Sequence, residues 1–453
     1  MLAAALRKAL AIALALALGG VARETFAAPD VDDPALRTQI TKLDNGLTVL
    51  LLPDPATPGV SFQMWVRAGS KDEAGYTGLA HLFEHMMFRG TDRLPPESHE
   101  RMIEGRGGRV NAYTTADTTV YFEDIAPDSL PLVIELEAER LANLKITEET
   151  LASERQVVLE ERRLRTEDQP DGRAFELLLG LAFQAHPYRV PTIGWRSDIE
   201  TVPVEACQDF FRTYYAPNNI VIAVAGDFDA ADTLARIRRA FGGFEPVAEI
   251  PRSPTKEPEQ RGERRAVVHF DVRSPILAAA WHAPATGHPD AEALDVAALV
   301  LSGGRSSRLY RKLVYDEQQA LGAHGAYWEL QDAGLFYAFA SVRPGGDVDE
   351  VERLFMAEIQ RLREERVPPD ELAKVKRQIE VDLLSGMGTA NEKASRIARE
   401  YLSFGRIRSV DERLKAYSAV TAEDVQRVAR TYFRDDRRSV VHVVPSPRSE
   451  ASK

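Results

Sequence analysis

Apolar positions recur at two different spacings along the chain, and each spacing specifies an element. Asn45-Gly46 opens an apolar run at 47–52 that Pro53 stops, the composition of a buried strand. Val60, Phe62, Met64 and Val66 then alternate with Ser61, Gln63 and Arg67, Trp65 being the exception, which predicts a second strand with one face buried. A loop over 69–77 leads into Gly78-Leu-Ala-His-Leu-Phe-Glu-His-Met-Met-Phe88. At about 100° per residue, Leu79, Leu82, Phe83, Met86 and Met87 gather on one side of this helix, and His81, Glu84 and His85 share the other. A helix near 97–103 follows, with His99 expected on its solvated side, and the glycines of 105–108 end it. Two β-rich stretches, 109–115 and 118–125, flank Ala116-Asp117 as a hairpin. Amphipathic helices are predicted over 127–143, 147–165, 173–183 and 203–215, and a strand over 220–225.

The pattern lapses over 244–264, where Pro246, Pro251, Pro254 and Pro258 are scattered among charged residues, the composition of a linker. It then restarts, with strands at 267–272, 276–281 and 334–342 and helices at 290–301, 348–366 and 369–384. Phe211-Arg-Thr-Tyr-Tyr215 before one strand is matched by Ala429-Arg-Thr-Tyr-Phe433 before another at 439–444, an offset of 218 residues. This is the mark of a duplicated domain. The expected organisation is a leader (1–28), a first domain (29–243), a linker (244–264) and a second domain (265–453). The fold class is α+β.

Composition narrows the function. A chain of 453 residues with 44% hydrophobic and 28% charged residues is ordinary for a globular protein of two domains. Its net charge of −12 argues against a nucleic-acid partner, which demands a basic face. Arg7 and Lys8 precede a short apolar run at 9–18, then small residues: an export signal, too short to span a bilayer comfortably. The expected location is the bacterial periplasm, with no stable membrane span once the leader is removed. The single cysteine, Cys207, excludes an internal disulfide and a cysteine metal cluster, and reads as a small core residue.

The chemistry lies on the polar side of the helix at 78–88. Two imidazoles one turn apart can grip one metal ion, and the carboxylate between them can take a proton from water. His81-x-x-Glu84-His85 is the inverted form of the commoner zinc-protease motif. Catalytic zinc usually takes a third protein ligand. On the helix at 147–165, Glu154 and Glu161 fall in the stripe defined by Leu151, Val157, Val158 and Leu164, whereas Glu160 falls outside it. Carboxylates on an apolar face need a partner, which favours Glu154 and Glu161; helical geometry does not choose between them.

Taken together, His81-x-x-Glu84-His85 and Glu154-Arg-Gln-Val-Val-Leu-Glu-Glu161 closely resemble the pitrilysin/insulysin/mitochondrial processing peptidase family of zinc metallopeptidases. The similarity extends over both halves, including His186-Pro-Tyr and Ile193-Gly-Trp195. It implies two homologous α/β-roll domains, each a mostly antiparallel sheet packed against helices, and one Zn2+ per chain. It further implies His81, His85 and Glu161 as ligands, Glu84 as general base, and Glu154 as a carboxylate supporting a ligand histidine. Gly107-Gly-Arg-Val-Asn111-Ala112-Tyr-Thr-Thr115 resembles the family's edge strand, to which a peptide substrate adds as a strand, with Asn111 and Ala112 at the matching positions. In this family the metal-free domain often supplies an Arg and a Tyr for substrate; here those positions are Val314 and Leu321. The resemblance therefore implies a heterodimer with a homologous subunit that lacks zinc ligands and carries the missing pair. The competing reading is a non-catalytic scaffold subunit of the same fold. Such relatives have eroded ligands, and here every position is intact.

Overall fold

A computed structural model of the chain describes Asp33 and residues 37–447, so the predicted leader lies outside the described residues. Among the described residues, eleven strands form two sheets. The first contains β1 (Gln39–Lys42), β2 (Thr48–Pro53), β3 (Val60–Val66), β4 (Arg109–Thr114), β5 (Thr119–Ile125) and β6 (Ile220–Gly226), in the order β1-β2-β6-β3-β5-β4. The second contains β7 (Arg264–Phe270), β8 (Ile276–Ala283), β9 (Ala320–Trp328), β10 (Gly334–Val342) and β11 (Arg438–Pro445), in the order β7-β11-β8-β10-β9. Each sheet has one parallel pair, β2–β6 and β7–β11, and is otherwise antiparallel. Apart from the extra β1, order and direction match strand for strand, so the repeated Arg-Thr-Tyr segments occupy equivalent places before β6 and β11.

The helices that position the site are α1 (Leu79–Met86), α2 (Ser98–Glu104), α3 (Leu130–Asn143), α4 (Glu148–Arg162), α5 (Pro170–Ala182), α6 (Ala291–Ser302) and α7 (Ala390–Phe404). One core joins Val49, Leu51, Phe62, Met64 and Val224 of the first sheet to Leu82, Phe83 and Met86 of α1 and to α3 and α4. The other joins Leu277, Trp281, Phe336 and Val440 to α6, which is buried along nearly its whole circumference.

The outer faces of the two sheets are covered by exchange. Helix α7, from the second half, lays Ala394, Ile397 and Ala398 on Leu50, Leu52, Trp65 and Val221 of the first sheet. Helix α5, from the first half, lays Ala174, Leu178 and Ala182 on Ile276, Ala278, Phe339 and Val441 of the second. Polar contacts fix both. Gln63 donates to the Asn391 carbonyl and to Ser395, each at 3.1 Å, and Asn391 donates to Asp124 at 3.0 Å. At the C-terminus of α5, Arg264 donates to the Leu181 and Ala182 carbonyls at 2.7 Å, satisfying acceptors that a helix end leaves open.

This exchange overturns one sequence expectation. β3 was expected to bury one face, yet all seven of its residues are buried, because α7 roofs the alternating polar set Ser61, Gln63 and Trp65. Strand β9 escaped the pattern reading because Gly322, His324 and Gly325 interrupt its apolar alternation. Residues 245–263 carry neither helix nor strand. They are held by polar contacts: Glu257 accepts the N–H groups of Gln184, Ala185 and His186 at 2.9–3.0 Å.

Removing the Ile397 side chain from α7 opens a cavity under the first sheet. Ile397→Ala is expected to cost about 2–5 kcal/mol, measured from the urea midpoint. The loss should appear in the fluorescence of Trp65, which belongs to the opposite half of the chain.

Candidate metal centre

The start of α1 is set by close backbone approach. Its N-cap, Gly78, lies in the left-handed region at φ +83°, and a Cβ there would stand 2.4 Å from the Ile193 carbonyl oxygen. Facing it, Gly194 (φ +75°) would bring a Cβ within 2.3 Å of the Gly78 nitrogen. Two glycines thus let the 193–195 loop lie against the helix end. No serine, threonine or aspartate caps α1. Glu73 does so from the preceding loop, accepting the N–H groups of Gly78 at 2.8 Å and Ala80 at 2.9 Å. Burial raises its carboxyl well above the usual range, against the pull of these two amides. Thr77 is tied to Asp198 at 2.6 Å. Leu79, Leu82, Phe83 and Met86 sit in the core, with Phe83 stacked on Phe211 at a centroid distance of 5.4 Å. The opposite side of α1 therefore presents His81, Glu84 and His85 in fixed orientation, with the two imidazoles 4.9 Å apart.

Helix α4 brings the acidic donors. Glu161 Oε2 lies 3.3 Å from His85 Nε2 and 3.7 Å from His81 Nε2. Glu154 Oε2 is 3.4 Å from His85 Nδ1, and its other oxygen is paired with Arg89. Glu160 points to solvent and pairs with Arg163. The buried stripe of this helix differs from the one its sequence predicts. Val157 and Leu164 are 43% and 51% exposed, so the buried stripe runs through Leu151, Glu154, Val158 and Arg162. Glu161 stands at the stripe's edge, within reach of the histidines, and Glu154 stands inside it. Past Arg162 the helix widens into a π-helical turn, Arg163–Glu167. Arg162 bonds the Gly194 carbonyl at 2.5 Å and Glu176 at 2.7 Å, tying α4 to the loop that abuts α1.

One ligand atom from each of His81, His85 and Glu161 falls within 4.8 Å of the others. Two imidazole nitrogens and one carboxylate oxygen are a donor set that suits zinc. Two further clusters among the described residues look similar, His99–Glu123–Glu137 and Asp349–Glu352–His442. Each already holds an arginine: Arg140 is paired with Glu137, and Arg265 with Glu352 at 2.6 Å. His99 is accordingly buried, not on a solvated face as its sequence context suggested. Its partners come from β5 and α3, elements that no local pattern connects to it.

Protonation follows from these contacts. Burial, with the neighbouring His85, pushes His81 down to about 4. Burial also opposes charge on His85, but the hydrogen bonds to Glu154 and Glu161 outweigh it and raise that ring to about 9. Glu161 is lowered, chiefly by its hydrogen bond to His85. Burial raises Glu84, while the Thr114 hydroxyl, donating to Oε2 at 2.5 Å, pulls it back. Thr114 is a residue that the sequence reading missed, although it lies in the stretch singled out for substrate.

Asn111 and Ala112 lie on β4, the outermost strand of the first sheet. The Asn111 side-chain oxygen accepts the Ala112 N–H at 2.8 Å, so this side chain is turned back on its own strand. In the second half, Val314 is half-buried against the core, and Leu321 is 56% exposed on β9. Neither supplies a cation or a hydroxyl.

Residues 48–195 match the family model for the insulinase family (peptidase family M16), and residues 201–379 match the model for the peptidase M16 inactive domain. The chain is 31% identical to zinc protease PqqE of Helicobacter pylori, over 89% of this chain and 92% of that one. It is 30% identical to an uncharacterized zinc protease of Mycobacterium tuberculosis (88% and 92%). It is 28% identical to a probable mitochondrial-processing peptidase subunit beta of Arabidopsis thaliana (88% and 77%). Among solved structures, a protease from Helicobacter pylori superposes with a TM-score of 0.87 at 30% identity, covering 90% of this chain and 99% of that one. A peptidase M16 inactive domain from Pseudomonas fluorescens shares the fold at 0.76 and 19%, covering 92% and 100%. The family includes inactive domains as well as named zinc proteases, and by sequence and by fold this chain belongs to peptidase family M16.

Proposed function

We propose that the chain is a zinc-dependent endopeptidase that cleaves short or unfolded peptides, working in the periplasm with a homologous partner subunit. The observation that carries this reading is convergence: His81, His85 and Glu161 come within 4.8 Å of one another, while Glu84 shares the histidine helix and is hydrogen-bonded to the edge strand β4. His81, His85 and Glu161 would hold the ion. Zinc bound there acidifies a water molecule and polarises a peptide carbonyl.

The chain's own residues do the rest. Glu84 takes the proton of the attacking water and returns it to the leaving amine. Thr114 engages one carboxylate oxygen, leaving the other free for that transfer. Glu154, held by Arg89, orients His85 through Nδ1. The free edge of β4 offers main-chain hydrogen bonds to an extended peptide, which makes few demands on its sequence. Because Val314 and Leu321 give nothing polar to the substrate, a homologous subunit without zinc ligands supplies the missing Arg and Tyr.

The first test is metal content and peptide cleavage, with and without a co-expressed homologue. Glu84→Gln is expected to keep zinc and lose about 10²–10⁴-fold in kcat. Glu161→Gln is expected to lose zinc, and Glu160→Gln to keep it. Retained cleavage in Glu84→Gln would sink the mechanism; full activity of the chain alone, unchanged by the homologue, would remove the partner.

Thr114→Val is expected to lower kcat about tenfold with KM unchanged, and Thr114→Ser to restore it; equal kcat in Val and wild type would remove the positioning role. The metal-free chain holds a proton on His85 up to about pH 9, and zinc binding must expel it. Zinc affinity should therefore rise about tenfold per pH unit from about 7 to 9 and then level off. Calorimetry in buffers of different ionisation heat should register one proton released at pH 7.

A further inference from the structure

A cavity of about 210 Å3 opens where the two halves meet, on the outer side of the first sheet. Trp65 and Tyr113 line it from the first half and Trp328 from the second. Trp65 and Tyr113 meet edge to face, with ring centroids 6.2 Å apart. Two arginines, Arg67 at the end of β3 and Arg399 on α7, line it as well, as do the carboxylates Asp117 and Glu329. Among the described residues, neither guanidinium has a carboxylate within ion-pair distance or a side-chain hydrogen bond.

Neither of these carboxylates pairs with Arg67 or Arg399. Asp117 receives Lys71 at 2.8 Å, the Tyr188 hydroxyl at 2.5 Å and the Gln331 N–H at 3.0 Å. Glu329 accepts the Gly287 N–H at 3.1 Å. Beyond Arg67, Asp72 is bound by Arg252 at 3.0 Å, so that carboxylate is already shared with a second cation. Two arginines without close counter-ions beside aromatic walls leave unpaired guanidinium donors in a concave site, with Lys71 offsetting Asp117. Guanidinium groups match carboxylates bidentately, and the three aromatic side chains offer faces and edges to a flat ring. The volume is below the roughly 300–1,000 Å3 of sites for larger ligands, which limits the occupant to about one ring.

We propose that this cavity binds a small aromatic carboxylate, with Arg67 and Arg399 holding the anion and Trp65, Tyr113 and Trp328 enclosing the ring. The same chemistry is presented by a free aryl acid and by the C-terminal aromatic residue of a peptide.

The test is a titration of the full chain with phenylacetate, followed by tryptophan fluorescence, since two of the four tryptophans line the cavity. Phenylacetate should give a saturable change, acetate none, and uncharged phenylacetamide binding weaker by at least about tenfold. Arg399→Ala and Arg67→Ala should each weaken phenylacetate by a similar factor, with zinc content and urea midpoint reporting that the fold is intact. No saturable change with phenylacetate, equal binding of the amide, or unchanged affinity in both arginine variants would overturn the site. N-acetylphenylalanine separates the two sources: binding at least as tight as phenylacetate identifies a peptide end, and loss of binding identifies a free acid.

Discussion

Everything in this molecule depends on keeping both faces of two sheets dry. Each half folds its helices onto one face of its own sheet and leaves the other apolar. Neither half can cover that second face from its own sequence, so each borrows a helix from the other. The trade explains why β2, β6 and β8 read as near-continuous apolar runs despite lying in mostly antiparallel sheets, where one wet face is common. It also explains why polar residues such as Gln63 and Asn391 persist at the seam: they fix the borrowed helix in register while the apolar contacts supply the stabilisation.

The residues of the candidate metal centre inherit their precision from this packing. Helix α1 is anchored by its apolar side and stopped at its start by Glu73 and by a pair of glycines whose backbones nearly touch. Helix α4 is tied to the same loop through Arg162 and Gly194. His81 and His85 on one helix and Glu161 on the other therefore meet without either helix being free to slide. The surroundings of the two histidines differ: the carboxylates beside His85 raise that ring to about 9, while burial and the neighbouring His85 lower His81 to about 4.

Much of this was legible in the sequence because it is local. The motif on α1 and the hairpin at Ala116-Asp117 express short-range patterns, and the repeated Arg-Thr-Tyr segments are each a short local match. What the sequence concealed is relational. The burial of His99 follows from Glu123 and Glu137 on other elements. Glu73 acts as a cap across a loop whose shape no spacing rule encodes. Val157 and Leu164 look like core residues by composition, yet they face outward because the tertiary setting rotates the buried stripe of α4. Glu161 stands at the stripe's edge, where a carboxylate can both meet a buried imidazole and remain hydrated. Thr114 went unnoticed because a threonine in a strand is ordinary until its neighbour across the fold is known.

The hydrogen bond from the Ala112 N–H to the Asn111 side chain has a consequence for life at high concentration. An outermost strand with free donors invites pairing with another copy of the same protein, the route by which sheets aggregate. Here the strand occupies one of its own donors with a side chain that can swing aside. A visiting strand must exchange one hydrogen bond for another, so this position gives little net reward to a chance encounter. A guest that engages the neighbouring groups as well can still displace it. The edge is thereby guarded against its own kind while remaining open to a guest.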